Sequence, residues 1–248
     1  MLKKPYRKKE VVQDDFDKLT NYDSKRDMNY FNRRLKRLLD VVPKDKKIRI
    51  LDFGGGSGLF SLELKRKGYK NLELVDISSS QCAQAREKGL KNVHNGDEEY
   101  VIKHFKESFD FIFMCDVIEH LENPSSTLIN IGKVLKPGGL LFLTYPNPLW
   151  VPFLNFLGNI NLKLKGKDNK IYIRKIKKDL EKYFVFKLYE GHMLASMLPK
   201  PILKFFEYVE LVIPISIKRD ICILNIVVLE KISQRDFFFY SNTFCQFI

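Results

Sequence analysis

A short apolar run, Ile48 to Phe53, ends in Gly54-Gly55-Gly56-Ser57-Gly58 and passes straight into a helical pattern from Leu59 to Lys67. Glycines between a strand and a helix permit a tight turn and let a ligand approach the backbone closely. The helix behind them offers free N–H groups and the positive end of its dipole, which suits a carboxylate or a phosphate. A turn of this kind belongs to sheets whose strands deliver their carboxyl ends to a ligand-binding crevice.

The next hundred residues repeat the alternation. Leu72 to Asp76 reads as a second strand, and Ser80 to Lys88 as a second helix that stops at Gly89, as the first stops at Gly68. A third, short strand falls around Asn92 to His94. Phe109 to Cys115 is a fourth, nearly all apolar, as in a strand covered on both faces. Ser125 to Leu135 is helical, Lys136-Pro137-Gly138-Gly139 is a turn, and Leu140 to Tyr145 is a fifth strand. Beyond Pro146 the regularity weakens, although Tyr183 to Tyr189 and Ile221 to Leu229 have strand character and Leu203 to Val212 fits an amphipathic helix. Upstream, Phe31, Leu35, Leu38 and Leu39 share one helix face, and Pro43 ends it. The order predicts an α/β fold: a doubly wound, mostly parallel seven-stranded sheet with right-handed crossovers and helical insertions. It divides the chain into an N-terminal helical region and candidate lid (1–47), a main domain (48–235) with insertions around 146–180 and 191–219, and a tail (236–248).

Length and composition limit the classes. A chain of 248 residues, 45% hydrophobic, suits one sizeable domain. The basic start, Met1 to Lys9, is followed by no apolar run of the kind a secretory signal has, and no stretch reaches the roughly 18 to 20 apolar residues that span a bilayer. A cytoplasmic location is expected. Cys82, Cys115, Cys222 and Cys245 form no CxxC pair, which argues against a zinc site or a disulfide framework. The net charge of +13 comes chiefly from lysines scattered along the chain rather than from a single patch, and by itself marks no polyanion partner.

The glycine spacing is informative. A dinucleotide fingerprint needs G-x-G-x-x-G, but counting from Gly54 the last position is Leu59 and from Gly56 it is Ser61. What stands here is D-x-G-x-G-x-G, Asp52 to Gly58. That pattern resembles the first motif of class I S-adenosylmethionine-dependent methyltransferases. The resemblance continues in order through Asp76 at the end of strand two, Asn95-Gly96-Asp97 after strand three, the Phe109-Asp110 to Glu119-His120 segment and Leu135-Lys136-Pro137-Gly138-Gly139. It covers Ile48 to Pro146, and the nearest likeness is to small-molecule enzymes of quinone and polysaccharide pathways.

The resemblance implies S-adenosyl-L-methionine as cofactor, held by Asp52, Gly54, Gly55, Gly56, Gly58, Asp76, Ile77, Asp97 and Cys115. Asp76 would accept both ribose hydroxyls and Asp97 the adenine amino group. Methyl transfer to an oxygen, nitrogen or carbon needs alignment and, for many acceptors, a base. His120 is the first candidate, with Glu119 and Asp116 as alternatives. The D-x-x-E-H spacing of Asp116, Glu119 and His120 also resembles a metal motif, but no further ligand stands in register, and no metal is assigned. A small-molecule acceptor is favoured over nucleic acid, since Cys115-Asp116-Val117-Ile118 stands where amino-methylating nucleic-acid enzymes carry Asn-Pro-Pro-Tyr. Acceptor contacts are expected from Phe16, Tyr22, the Tyr145 to Phe153 loop with Trp150, and the Gly191 to Lys218 insertion. The Leu203, Phe206, Val209 and Val212 stripe is a secondary candidate for peripheral membrane contact. Two other readings stay open: an NAD-dependent oxidoreductase on the same topology, and an inactive binding protein. The sequence does not fix the oligomeric state.

Overall fold

The computed structural model describes residues 9–17, 28–159, 168–192, 208 and 212–233. Its sheet grows outward from β1 (Arg49–Phe53), buried from Ile50 onward and hydrogen-bonded in parallel to β2 (Asn71–Asp76) on one side and β4 (Phe109–Cys115) on the other. Next to β2 lies β3 (Val93–Asn95), and β5 (Leu135–Pro146) flanks β4, both parallel. The last two strands, β6 (Phe184–His192) and β7 (Leu224–Lys231), reverse the pattern, because β7 runs antiparallel to both β5 and β6. The order is β3-β2-β1-β4-β5-β7-β6, a seven-stranded, mostly parallel sheet as expected.

Both faces are covered. On one, α2 (Met28–Val41) and α3 (Leu59–Arg66) lay Phe31, Leu38, Phe60 and Leu64 against Ile50, Phe111, Phe113 and Phe142. On the other, α5 (Glu98–His104), α6 (Pro124–Val134) and α8 (Ile173–Leu180) bury Val101, Leu128, Ile131 and Leu180 with Leu51, Ile112 and Leu141. Between them in the chain, α4 (Ser79–Glu87) packs Cys82 and Ala85 on Leu74 and Val93, and α7 (Val151–Asn159) follows β5. The first described helix is α1 (Lys9–Asp17), and α9 (Ile215–Ile221) precedes β7. Among the described residues no helix is long and apolar enough to cross a membrane.

Two local expectations are corrected. Lys136 to Gly139 is not a turn ahead of strand five but lies within β5. The ladder pairs Phe109 with Leu135 and then Phe111 with Leu140, so the extra residues bulge out, Gly138 taking φ +75°. Helix α5 was not anticipated, although its signals are local. Asp97 caps it by accepting from the amides of Glu99 and Tyr100, acids open it and Lys103 and His104 close it. Most of the anticipated Leu203 to Val212 helix, with Leu203, Phe206 and Val209, lies outside the described residues, as do Tyr22 and the 236–248 tail.

Helix α2 is held to the sheet by the apolar face read from the sequence, with Leu38 fully buried at its centre. Leu38→Ala is expected to lower unfolding free energy by about 2–5 kcal/mol, the range for truncating a buried leucine. Urea denaturation followed by circular dichroism measures this, and a loss well under a kcal/mol would show that α2 is not part of the core.

Candidate functional site

A cavity of about 340 Å³ opens at the carboxyl ends of β1, β2 and β4. The chain order reverses here, with β2 and β4 leaving β1 on opposite sides, which is where open α/β sheets bind ligands. The glycine turn forms its floor. Gly54 donates to the Val75 carbonyl across the strand ends at 2.8 Å, and Gly54, Gly55 and Gly56 all line the space. At Gly54 any Cβ would sit 2.4 Å from the Val117 side chain, so only glycine lets the loop after β4 come this near.

Three carboxylates stand at the strand ends. Asp52 is buried and accepts from the Ser61 hydroxyl at 2.7 Å. Asp76 accepts from the Gly56 amide at 2.7 Å and the Ser78 amide at 2.8 Å. Burial raises its pKa to about 6, against those two bonds, and nearby Asp17 adds a smaller push in the same direction. Asp116 takes φ +58° just beyond β4, and its carboxylate gathers Arg34, Tyr30 at 3.1 Å and Thr144 at 2.9 Å. Burial first, then the Asp116 charge, hold the Tyr30 phenol well above its ordinary pKa, so it stays a donor.

The rest of the wall comes from distant parts of the chain. Helix α1 contributes Lys9, Val12 and Phe16, with Lys9 paired to Asp97 and Asp17 accepting from the Ser78 hydroxyl at 2.7 Å. Phe16 meets the His120 ring edge-on, centroids 5.3 Å apart, and His120 Nε2 lies 4.0 Å from the Asp168 carboxylate. Asp168 is fixed by a reciprocal pair of bonds with Asn155, while Asn169 donates twice to the Glu119 carbonyl.

A family model for a methyltransferase domain matches residues 22–199. The chain belongs to this methyltransferase-domain family. Over 110 residues this methyltransferase-domain protein is 30% identical to the tRNA 5-carboxymethoxyuridine methyltransferase of Escherichia coli (strain K12), covering 41% of each chain. It is 26% identical over 148 residues to the mitochondrial ubiquinone biosynthesis O-methyltransferase of Dictyostelium discoideum, covering 52% of this chain and 46% of that one. It therefore spans under half the length of these two curated relatives. Among solved structures, the Haemonchus contortus phosphoethanolamine N-methyltransferase 2 in complex with S-adenosyl-L-methionine superposes with a TM-score of 0.61 at 18% identity, covering 90% of this chain and 60% of that one. At that identity the likeness establishes the fold.

The geometry sorts the expected site residues of this methyltransferase-domain chain. Asp52, Gly54, Gly55, Gly56, Asp76, Ile77, Asp97, Cys115, Asp116 and His120 all line the cavity. Gly58 and Glu119 stand away from its wall. Gly58 takes φ +80° where a Cβ would come within 2.3 Å of Leu90, so it serves the packing of α3, and Glu119 is buried behind the loop. Asp97 both caps α5 and lines the site. Trp150 donates to the Ile221 carbonyl at 2.8 Å and does not line the cavity, and of the spare histidines His94 is held between Glu73 and Tyr100. Among the described residues no three His, Cys, Asp or Glu side chains gather as a metal site would require. A Tyr-x-x-x-Lys spacing does occur, Tyr183 to Lys187, but neither residue lines the cavity. Sequence reasoning missed Arg34, Tyr30, Lys9 and Asp168. Arg34 is nearly fully buried, a signal that no local pattern carries.

Arg34 pairs with Asp116 from a nearly buried position, and hydrogen bonds to charged groups are worth about 1.5–3 kcal/mol. Arg34→Met is expected to cost about 2 kcal/mol of stability by urea unfolding. A change below about 0.5 kcal/mol would show a solvent-screened pair instead.

Proposed function

We propose that this protein transfers the methyl group of S-adenosyl-L-methionine to a small acceptor that enters beside His120. The observation that carries the reading is Asp76. It is a buried carboxylate at the end of β2, oriented by two backbone amides, open to a cavity and matched to no cation among its hydrogen-bond partners. Such a group is suited to accept two hydroxyl donors from one ribose, since each bond offsets part of the cost of its burial.

The residues present fit the cofactor. Asp76 would hold the ribose, Val75, Ile77 and Val117 supply apolar walls for the adenine, and Asp97 stands at the edge where its amino group would lie. The glycine turn would leave backbone room for the amino-acid end, with Asp52 lining the cavity beside it. When bound, the cofactor supplies a methyl group already activated by the sulfonium. The chain's own task is then to align the acceptor, exclude water and receive a proton.

His120 is the proton acceptor in this reading. Asp116 is engaged by Arg34, Tyr30 and Thr144, and Glu119 is buried and does not line the cavity, whereas His120 borders it with Asp168 nearby. Helix α1 is the proposed lid, because Val12 and Phe16 wall the space and Lys9 and Asp17 fasten it to Asp97 and Ser78. A site covered by a helix favours a small acceptor, since a nucleic acid would have to deliver a single unstacked base into it. The named relatives include both kinds of enzyme, one acting on tRNA and one in ubiquinone biosynthesis.

Isothermal titration of the full chain with S-adenosylhomocysteine is expected to show saturable binding, with none for NAD. Asp76→Ala should weaken it about a hundredfold, the loss of two charge-assisted hydrogen bonds. Absence of any saturable heat with folded protein would overturn the proposal.

The raised pKa of Asp76 gives a pH signature. The free protein holds this proton up to about pH 6, above the value of 3.8 for an unburied aspartate. The folded chain therefore binds the proton more tightly than the unfolded one, and burial of Asp76 costs stability as pH rises from about 4 to about 6. Ribose hydroxyls favour the ionised form, so affinity should run the other way. Binding about tenfold weaker at about pH 5 than at about pH 7.5 is expected, levelling off above about pH 7. A flat profile would remove Asp76 from the ribose contact.

A further inference from the structure

Large apolar side chains that face solvent cluster near the end of the sheet that carries the cavity. Leu149 is 63% exposed, and on α7 Phe153 and Phe156 are 50% and 55% exposed. Val212 is 64% exposed, and on α9 Ile215 and Ile217 are 57% and 47% exposed. Elsewhere among the described residues such side chains stand singly or in pairs, the usual state of a protein surface.

The segments that carry the two groups are joined where α7 begins and α9 ends. The Asn147 side chain donates to the Arg219 carbonyl at 2.9 Å, its amide donates to the Ile223 carbonyl at 2.7 Å, and the Trp150 indole donates to the Ile221 carbonyl at 2.8 Å. A basic helix borders them. Arg174 of α8 pairs with Asp220 of α9 at 2.8 Å, and α8 exposes Lys175 and Lys178 beside it. The same region is joined to the cavity wall, because Asn155 of α7 holds Asp168, which faces His120.

We infer that the α7–α9 face seats the protein on an anionic lipid surface. Apolar side chains long enough to enter the acyl boundary stand next to lysines that would lie among phosphate headgroups, which is the charge arrangement of an interfacial contact. A second copy of the chain would match the apolar groups but would bring Lys175 and Lys178 near their own counterparts. Seated in this way, the protein holds His120 and the cavity near the lipid, and an acceptor with an apolar tail reaches the site without crossing water. The inference goes beyond the proposed methyl transfer and does not require it.

The test uses the full chain and vesicles of phosphatidylcholine, with and without roughly one quarter phosphatidylglycerol. The protein is expected to sediment with the anionic vesicles and less at high salt. Trp150 is the chain's only tryptophan, so its emission should shift to the blue on binding. The Phe153→Ser, Phe156→Ser double variant should lower partitioning roughly tenfold or more. The Lys175→Glu, Lys178→Glu variant should lose the preference for anionic lipid, with both variants keeping native circular dichroism and S-adenosylhomocysteine affinity. No sedimentation with vesicles, or binding that the serine pair leaves unchanged, overturns the inference. So does a dimer in solution that the serine pair dissociates, which would make a second copy the occupant. Cofactor affinity is measured separately, so failure here leaves the proposed function standing, and the reverse holds.

Discussion

β1 is hydrogen-bonded in parallel on both sides, and the place of the site follows from how its two neighbours leave it. Each parallel strand must return through a crossover, and the chain passes to opposite sides of β1 on its two excursions. The loops at the carboxyl ends therefore diverge and leave a crevice that no side chain of the sheet fills. Asp52, Asp76 and Asp116 stand at the ends or just beyond the ends of three adjacent strands, so their charges crowd around this space. Each is accommodated by a different device: a serine hydroxyl for Asp52, backbone amides for Asp76, and an arginine, a tyrosine and a threonine for Asp116.

The differences among the three assign their work. Asp116 has a buried cation, and its unusual backbone angle is affordable because Arg34 and Tyr30 fix the carboxylate from α2. It shapes the loop leading to His120 and has few lone pairs left for a ligand. Among the described residues the Asp76 carboxylate has amide donors alone, and its raised pKa reflects how incompletely they offset its burial. An acid in this condition gains most from new donors, and the cavity is where they would arrive. On the proposed reading the electrostatics thus separate a structural carboxylate from one that binds the cofactor, although both are aspartates at strand ends.

The parts of this plan that were legible in the sequence are those fixed by local physics. Phe109 to Cys115 reads as a buried strand because both faces are apolar, and the Asp52 to Gly58 turn reads as a ligand loop because its spacing leaves little else for glycines to do. The role of Gly58 was not legible, because its crowding against Leu90 depends on the packing of another element. Lys136 to Gly139 carries the residues of a turn, and only the pairing of Leu135 with Phe109 turns it into a bulge. Arg34 and Asp116 are separated by 82 positions, and Asp168 reaches His120 from across a stretch without periodicity. Nothing near these residues in the chain marks them.

That division also bears on the acceptor. The motif-bearing residues between Ile48 and Pro146 build most of the cavity wall, the side that the proposal gives to the cofactor. The remaining wall comes from α1 and from Arg34 of α2, which follow no motif, and the contacts at its edge and behind it are pairwise, Lys9 with Asp97 and Asn155 with Asp168. Contacts of that kind can change without disturbing the sheet, because none lies in its two cores. On the proposed reading, a wall of this kind beside the cofactor is compatible with relatives named for a tRNA uridine and for ubiquinone biosynthesis. Asn155 of α7 holds Asp168 beside His120, so on the proposed reading this half of the site and the exposed apolar side chains of α7 belong to one connected region.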